Sequence, residues 1–480
     1  MGYTSDLRNI RDSLNGDKLY RNDNGHFVDV SAEAGIYGSE IGFGLGITAG
    51  DLQNTGWDDM YVSNDFFEHD YLYKNQHNGK FKEVSNEAIG HMSMSSMGSD
   101  MADINNDGLL DVFTTDMLPE GDYRLKTTTK FDEFDVYNAK LKGDFHHQFT
   151  SNCLQLNNGD GTFSEIANLA GVNATDWSWG ALTFDFNNDG WKDIFVSNGI
   201  SRDLTNQDFL AYFSSKEVMD EIQHGGFKAK TLLDKMPKTP ITSYGFINQQ
   251  NLQFKNESAS LGFSTPGFSN GAAYGDLDGD GDLDLVVNNE NGEAFIYRNM
   301  TSERTKAHYL KVNLKGTGMN TFGIGAKVTI YTKGMQQLLE QMPTRGFESS
   351  VEPVLNFGTG TNNTVDSLRV IWPNMKMQII KKIASNKTIT LKQTDANLTF
   401  VPVDPKGKAL FKNTTAGSFK GDINHKENDY KDFDDQRLIP KMLSTEGPKL
   451  AVADVNGDGL EDFFYGRRGR RYCQTIYSAT

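Results

Sequence analysis

One short acidic pattern recurs along this chain, each time between two apolar stretches. A pattern repeated at such spacing restricts the fold to a row of like units. The clear copies are DINNDGLLDVF (103–113), DFNNDGWKDIF (185–195), DLDGDGDLDLV (276–286) and DVNGDGLEDFF (454–464); a weaker one, DLQNTGWDDMY, starts at Asp51. Their first aspartates stand at 51, 103, 185, 276 and 454, so the shortest step is 52 residues and the longer ones read as a unit plus an insertion. Small and apolar residues precede the clear copies (GSDMAD, GALTFD, GAAYGD, KLAVAD). A β-like run follows each: Val112-Phe113, Ile194-Phe195-Val196, Leu285-Val286-Val287 and Phe463-Phe464-Tyr465. Both flanks read as short strands joined by the acidic loop. A second hairpin signal is reused in LYRNDNGHFVDVS (19–31), LYKNQHNGKFKEVS (72–85) and LQLNNGDGTFSEIA (154–167). There an Asn/Gly turn separates two apolar segments, as a tight hairpin requires. Two hairpins make four strands, and a four-stranded unit at this spacing is the pattern of a propeller blade.

Numbered from its first aspartate, the loop has Asp or Asn at positions 1, 3 and 5, Gly at 6 and Asp at 9. Oxygen ligands at alternating positions, with a glycine for the sharp turn, wrap a hard cation. The predicted side-chain ligands are Asp103, Asn105, Asp107 and Asp111; Asp185, Asn187, Asp189 and Asp193; Asp276, Asp278, Asp280 and Asp284; and Asp454, Asn456, Asp458 and Asp462. Position 7 offers its backbone carbonyl: Leu109, Trp191, Asp282 and Leu460. The side chain of Asp282 is then expected to be free. Calcium suits a flexible all-oxygen cage better than magnesium, and zinc would want His or Cys. About four calcium sites are expected from these loops. The Asp51–Asp59 loop has Gln53 and Thr55 where ligands should stand, which puts a fifth site in doubt. An EF-hand would need Glu at position 12 and flanking helices. Position 12 is Thr114, Val196, Val287 and Tyr465, and the flanks are strands.

A net charge of −17 excludes a nucleic-acid partner and suits cation binding. No apolar run is long enough for a membrane span. The start of the chain has no apolar h-region of a signal peptide. Two cysteines, Cys153 and Cys473, exclude a disulfide framework. No GxSxG, HExxH or P-loop occurs, and the loops account for the paired carboxylates. GLGITA (44–49) matches a dinucleotide fingerprint but is followed by an acidic loop instead of a helix. HMSMSSMGSDM (91–101) brings His91 and four methionines together; packing explains it better than copper. His146-His147 reads as a solvated pair. Trp177 and Trp179 share one face if extended and read as packing between blades.

The loops with their strand flanks resemble the FG-GAP (VCBS-type) repeats of integrin α-subunit propellers and bacterial surface proteins. HYLKVNLKGTGMNTFGIGAKVTIYTKG (308–334), RGFESSVEPVLNFGTG (345–360) and VDSLRVIWPN (365–374) resemble the ASPIC/UnbV domain. Together they resemble the cartilage acidic protein-like family, bacterial type. That family usually has His before FGxG, where this chain has Leu355-Asn356. The resemblance implies an all-β fold, a propeller plus a β-rich module, with structural calcium loops. Residues 1–300 are read as about four blades, the first incomplete, with insertions at 114–150 and 199–245; RDLTNQDFLAYFSSKEVMDEIQ in the second is predicted helical. Residues 301–400 are the ASPIC/UnbV-like module, 401–440 a linker in which FKNTT (411–415) echoes the repeats, and 441–480 a further repeat cut short at GRRGRRYCQTIYSAT. The expectation is a fragment of an exported, extracellular or cell-surface protein. It is expected to be non-catalytic and to bind a protein or glycan. The alternatives are a propeller-based polysaccharide lyase or hydrolase and a structural spacer.

Overall fold

The computed structural model describes residues 4–225, 229–402, 413–415, 425, 427–465 and 474–476. The chain forms two compact units, residues 1–405 and 406–480. Parts of the expected linker (403–412, 416–424 and 426) lie outside the described residues, as do Phe411 and Lys412 of FKNTT and most of the terminal GRRGRRYCQTIYSAT, including Cys473.

The first unit begins with a short 3-10 helix, Ser5–Asn9, followed by a hairpin, Tyr20–Asp23 and His26–Asp29. A four-stranded sheet follows: Gly44–Gly50, Asp59–Asn64, Tyr71–Asn75 and Phe81–Glu83. The second is Ser99–Ala102, Asp111–Thr114, Cys153–Asn157 and Phe163–Glu165; the third is Ser178–Phe184, Asp193–Asn198, Tyr244–Asn248 and Phe254–Asn256. A three-stranded sheet, Ser269–Gly275, Asp284–Asn289 and Phe295–Tyr297, comes last. Each is an antiparallel meander in chain order, and each acidic loop joins its first two strands. These are β-propeller repeats. The flanks that sequence reads as strands are strands, and GLGITA is one of them.

Successive sheets pack face to face, and the apolar clusters fill the gaps between them. Leu52, Tyr61, Met92, Met101 and Val112 form one such layer, and Ile104, Phe113, Leu154, Ile194 and Phe246 the next. Leu182, Phe195, Ala272 and Val287 form a third. Three methionines of HMSMSSMGSDM (Met92, Met97 and Met101) are therefore core residues. The first strands of neighbouring sheets lie against one another. There the small residues matter: a Cβ on Gly98 would fall 2.1 Å from the carbonyl oxygen of Trp179 in the next sheet. Only glycine permits that approach.

The insertions are helical: Asp122–Thr128 and Phe134–Lys142 in the first, and Gln207–Phe213, Lys216–Gln223 and Ala229–Lys235 in the second. The helix expected across 202–223 is broken in two where Ser215 caps the second piece, its side chain accepting from the N–H of Val218. The first insertion's helices carry no strong periodicity and escape sequence reasoning. His146 is not solvated as expected but buried, 6.2 Å from the ring of His69; only His147 is exposed, against the Tyr137 hydroxyl.

Residues 308–399 form a sandwich. A three-stranded sheet (His308–Lys315, Val354–Gly360, Lys387–Lys392) faces a five-stranded one (Lys327–Thr332, Met335–Glu340, Thr364–Ile371, Lys376–Ala384, Leu398–Thr399). Leu310, Val328, Ile330, Phe357, Leu368 and Trp372 fill the space between. The short hairpin Thr344–Arg345 and Ser349–Ser350 leaves the sandwich and enters the row of first strands. Gly346 pairs with Ser99 through two backbone hydrogen bonds of 3.0 and 3.3 Å. The Arg345 guanidinium donates to Asp100 at 2.8 Å and to the Met101 carbonyl at 2.6 Å. Phe347 packs on Trp179 with ring centroids 4.9 Å apart. Trp179 thus meets this finger, where packing between blades was expected.

In the second unit, Leu450–Ala453, Asp462–Tyr465 and Gln474–Ile476 make a three-stranded antiparallel sheet with the last acidic loop between its first two strands.

Candidate metal centre

Each loop begins at the end of one strand and closes at the start of the next. Ala102 pairs with Asp111, Phe184 with Asp193, Gly275 with Asp284 and Ala453 with Asp462. Position 1 therefore faces position 9 across the mouth of the hairpin. The position-1 carboxylate gathers backbone N–H groups: Asp103 accepts from Asp107 and Gly108, Asp185 from Asp189 and Gly190, Asp276 from Gly279 and Gly281. Asp454 accepts from Gly457, Asp458 and Gly459. Position 9 accepts from the N–H of position 2, as Asp111 does from Ile104 at 3.0 Å and Asp193 from Phe186 at 2.9 Å. Position 5 accepts from the N–H of position 7 at Leu109, Trp191, Asp282 and Leu460. With those N–H groups turned inward, the loop is wound tightly around its own carboxylates. Two left-handed residues make this possible, at position 4 (Asn106, Asn188) as well as at the expected glycine.

In the loops starting at Asp103 and Asp185, the acids at positions 1 and 9 are crowded and buried. Burial, with the neighbouring Asp107 carboxylate, pushes Asp103 up to about 7. Burial pushes Asp185 to about 7 as well, against the opposing charge of Lys192. Asp111 and Asp193 are raised well above the ordinary carboxylate range, mainly by burial. Desolvation disfavours the charged form, and a cation of higher charge reverses that preference. All donors are hard oxygens, so the residues fit calcium. In the third loop, oxygens of Asp276, Asp278 and Asp284 lie within 4.8 Å of one another. This loop already has cations nearby. Lys311 reaches Asp276 at 2.7 Å, and Arg298 reaches Asp278 at 2.6 Å and holds it below the ordinary range. Ser302 donates to Asp280 at 3.0 Å.

The Asp51 loop is closed by a lysine. The Lys327 ammonium, on the sandwich, sits 2.8 Å from the Asp51 carboxylate, 3.0 Å from the Asp51 carbonyl and 2.8 Å from Asn54 Oδ1. Gln53 donates to Asp59 at 3.3 Å, and burial pushes Asp59 to about 6. A positive charge is therefore supplied by the chain itself.

Sequence reasoning left Asp282 free. It is buried instead, and accepts from Asn188 Nδ2 of the preceding loop at 2.8 Å. Two sets of asparagines were missed altogether. Position-4 asparagines reach the position-6 carbonyl of the next loop: Asn54 to Gly108 at 3.1 Å, Asn106 to Gly190 at 3.1 Å and Asn188 to Gly281 at 3.4 Å. Asparagines of the second hairpin reach back. Asn157 donates to the Leu52 carbonyl at 2.8 Å and to Leu110 at 3.1 Å; Asn248 donates to Ile104 and Lys192, and Asn299 to Phe186 and Leu283. The recurring Asn of LYxN was the available signal. Asn157→Ala orphans two buried carbonyls and should cost about 1–3 kcal/mol in a denaturant titration. A loss under about 0.5 kcal/mol would mean that those carbonyls find other donors.

The sandwich lies over this row of loops. A Cβ on Gly358, in FGTG, would fall 2.1 Å from an Asp185 carboxylate oxygen, and the Gly360 N–H donates to the Asn188 carbonyl at 2.8 Å. Asn356, in the segment before FGTG, donates to the Gly281 carbonyl at 3.1 Å.

Repeated strand–acidic loop–strand units joined to such a sandwich define the class. The FG-GAP-like repeat model matches residues 51–114 and 140–196, and the ASPIC and UnbV model matches 316–398. The chain carries FG-GAP-like repeats and an ASPIC/UnbV domain. It is similar to cartilage acidic protein 1 of Xenopus tropicalis, 28% identical over 263 residues, which cover 47% of this chain and 38% of the relative. The human protein of the same name is 28% identical over 277 residues, covering 49% and 39%. The match thus spans about two fifths of these relatives' length. Among solved structures, one on the recognition of non-reducing terminal N-acetylglucosamine by an Agrocybe aegerita lectin matches at 13% identity, covering 59% of this chain and 75% of that one. Its TM-score of 0.21 is too low to carry an argument. Among the described residues no helix is long and apolar enough to cross a membrane.

Proposed function

We propose that this chain is a calcium-stabilised extracellular or cell-surface propeller that binds a protein or glycan and has no catalytic role. The observation that carries the calcium reading is the convergence of Asp276, Asp278 and Asp284 oxygens within 4.8 Å in a loop whose wiring recurs in its sister copies. In the loops starting at Asp103 and Asp185, bound calcium would supply positive charge that offsets the burial raising those two carboxyls. The ligands would be the side chains at positions 1, 3, 5 and 9 and the position-7 carbonyls of the loops starting at Asp103, Asp185, Asp276 and Asp454. Sites of this kind suit the millimolar calcium found outside cells. The similarity to cartilage acidic protein 1 supports that setting. The Arg345–Phe347 finger, which packs into the row of first strands, supports the non-catalytic reading.

Calorimetric titration of the full chain with calcium tests this. About four sites are expected, with none at the Asp51 loop, and Asp193→Asn should remove one of them. Zero sites would reject calcium as the stabilising ion. Partner binding is tested by glycan-array and pull-down measurements with and without calcium. An unchanged signal after chelation would separate binding from the loops.

A further inference from the structure

A second cluster stands apart from the acidic loops, and its donors are of a different kind. A ring nitrogen of His91, Cys153 Sγ and a Glu165 carboxylate oxygen all lie within 4.8 Å of one another. His91 comes from the segment that crosses between the first and second four-stranded sheets. Cys153 and Glu165 come from adjacent strands of the second. Glu165 is oriented firmly: one oxygen accepts from the N–H of Leu154 at 3.0 Å and of Ala167 at 2.7 Å. The other faces His91 Nε2 at 3.2 Å. Glu83 caps the equivalent turn of the preceding sheet in the same way, accepting from Ser85 at 2.7 Å. The carboxylate is thus a feature of the repeat, while His91 and Cys153 are additions to it.

A His–Glu ion pair alone would account for two of the three groups. The thiol is fully buried and donates to the Ser151 carbonyl at 3.7 Å; what the pair leaves unexplained is Gln155. Gln155 lies two residues along the strand from Cys153 and pairs in register with Glu165. It is fully buried. Its amide nitrogen donates to the His91 carbonyl at 2.9 Å, and its Oε1 is buried without a hydrogen-bond partner. Gln155 shares a strand face with Cys153 and stands opposite Glu165, and an orphaned buried oxygen there is costly unless something positive takes it up.

We infer that His91, Cys153 and Glu165, with Gln155 Oε1 at hand as a fourth donor, form a site for a borderline divalent transition metal of the zinc class. Sulfur and nitrogen donors select such ions over calcium. A tetrahedral zinc spaces its ligand atoms by about 3.5 Å, which small side-chain rotations reach from this arrangement. The thiol loses its proton to solvent as the metal–sulfur bond forms. The His91 side chain is 34% exposed and provides the way in. The bound ion would pin the crossing segment to the second sheet, a structural role independent of calcium.

Cobalt(II) is the probe, added to the full chain with excess calcium present to occupy the acidic loops. A thiolate-to-cobalt charge-transfer band should rise in the near ultraviolet and saturate at one equivalent. It should persist in Cys473→Ser and vanish in Cys153→Ser, with zinc displacing it in the parent. His91→Ala, at a partly exposed position, should weaken cobalt binding at least about tenfold. Absence of the band, or its survival in Cys153→Ser, overturns the site. Should Cys153→Ser fail to fold by circular dichroism, unchanged cobalt affinity in His91→Ala overturns it equally. Calcium stoichiometry measured in parallel tells failure of this site from failure of the loops.

Discussion

Arg345→Met should destabilise the chain by about 3–5 kcal/mol, the cost of leaving one member of a buried ion pair behind. Arg345 is buried and its partner Asp100 is fully so. Burial raises Asp100, and the Arg345 charge pulls against that rise. Asp100 also accepts from the N–H of Thr183 at 2.7 Å, so it ties two neighbouring sheets as well as the finger. Without Arg345 the carboxylate must take up a proton or stay charged in a dry site. The double variant Arg345→Met/Asp100→Asn should therefore recover much of the loss, because it removes the stranded charge. Urea unfolding of the single and double variants measures both. A loss of less than about 1 kcal/mol for the single variant would show that water reaches Asp100 once the arginine is gone.

Calcium removal should reverse the pH dependence of stability. Asp103 and Asp185 are raised to about 7, against about 3.9 in an unfolded chain. Between those values the folded state holds more protons than the unfolded one. Stability of the calcium-free chain therefore falls as pH rises from about 4 to about 7, and stays low above that. Asp70, raised by burial to about 7, and Asp116, raised to about 6, act in the same direction. With calcium bound, protons compete with the ion, so acidification expels it and lowers stability. Scanning calorimetry in chelator should give a higher melting temperature at about pH 5.5 than at about pH 8. With saturating calcium the order should invert. A chelated protein whose melting temperature rises with pH across this range would refute the crowded-acid reading of the loops.

Much of this was legible along the chain. Alternating oxygen donors, the turn glycine and the strand-like flanks of DFNNDGWKDIF are local, and local spacing determines both the hairpin and the winding of its loop. The helical insertion at 202–223 was legible too, but not its break at Ser215, because capping competes with periodicity over only a few residues. Asp282 was misjudged for a different reason: its partner, Asn188, is remote in sequence and adjacent only once the sheets stack. The same holds for the LYxN asparagines, which look like turn residues until the preceding sheet supplies a carbonyl.

The sequence by itself determined the class of unit, its number of clear acidic loops and the oxygen chemistry in each. Tertiary structure decided how those loops are neutralised and joined. Lys327 takes the place of a cation at Asp51, and Lys311 stands beside Asp276. Arg345 enters the row of first strands, and Gly358 lets the sandwich close over Asp185. The physical reason is that ligand spacing within a loop is set by backbone geometry over a few residues. The charges that meet a loop come from strands far along the chain, and no local pattern records which of them will face it.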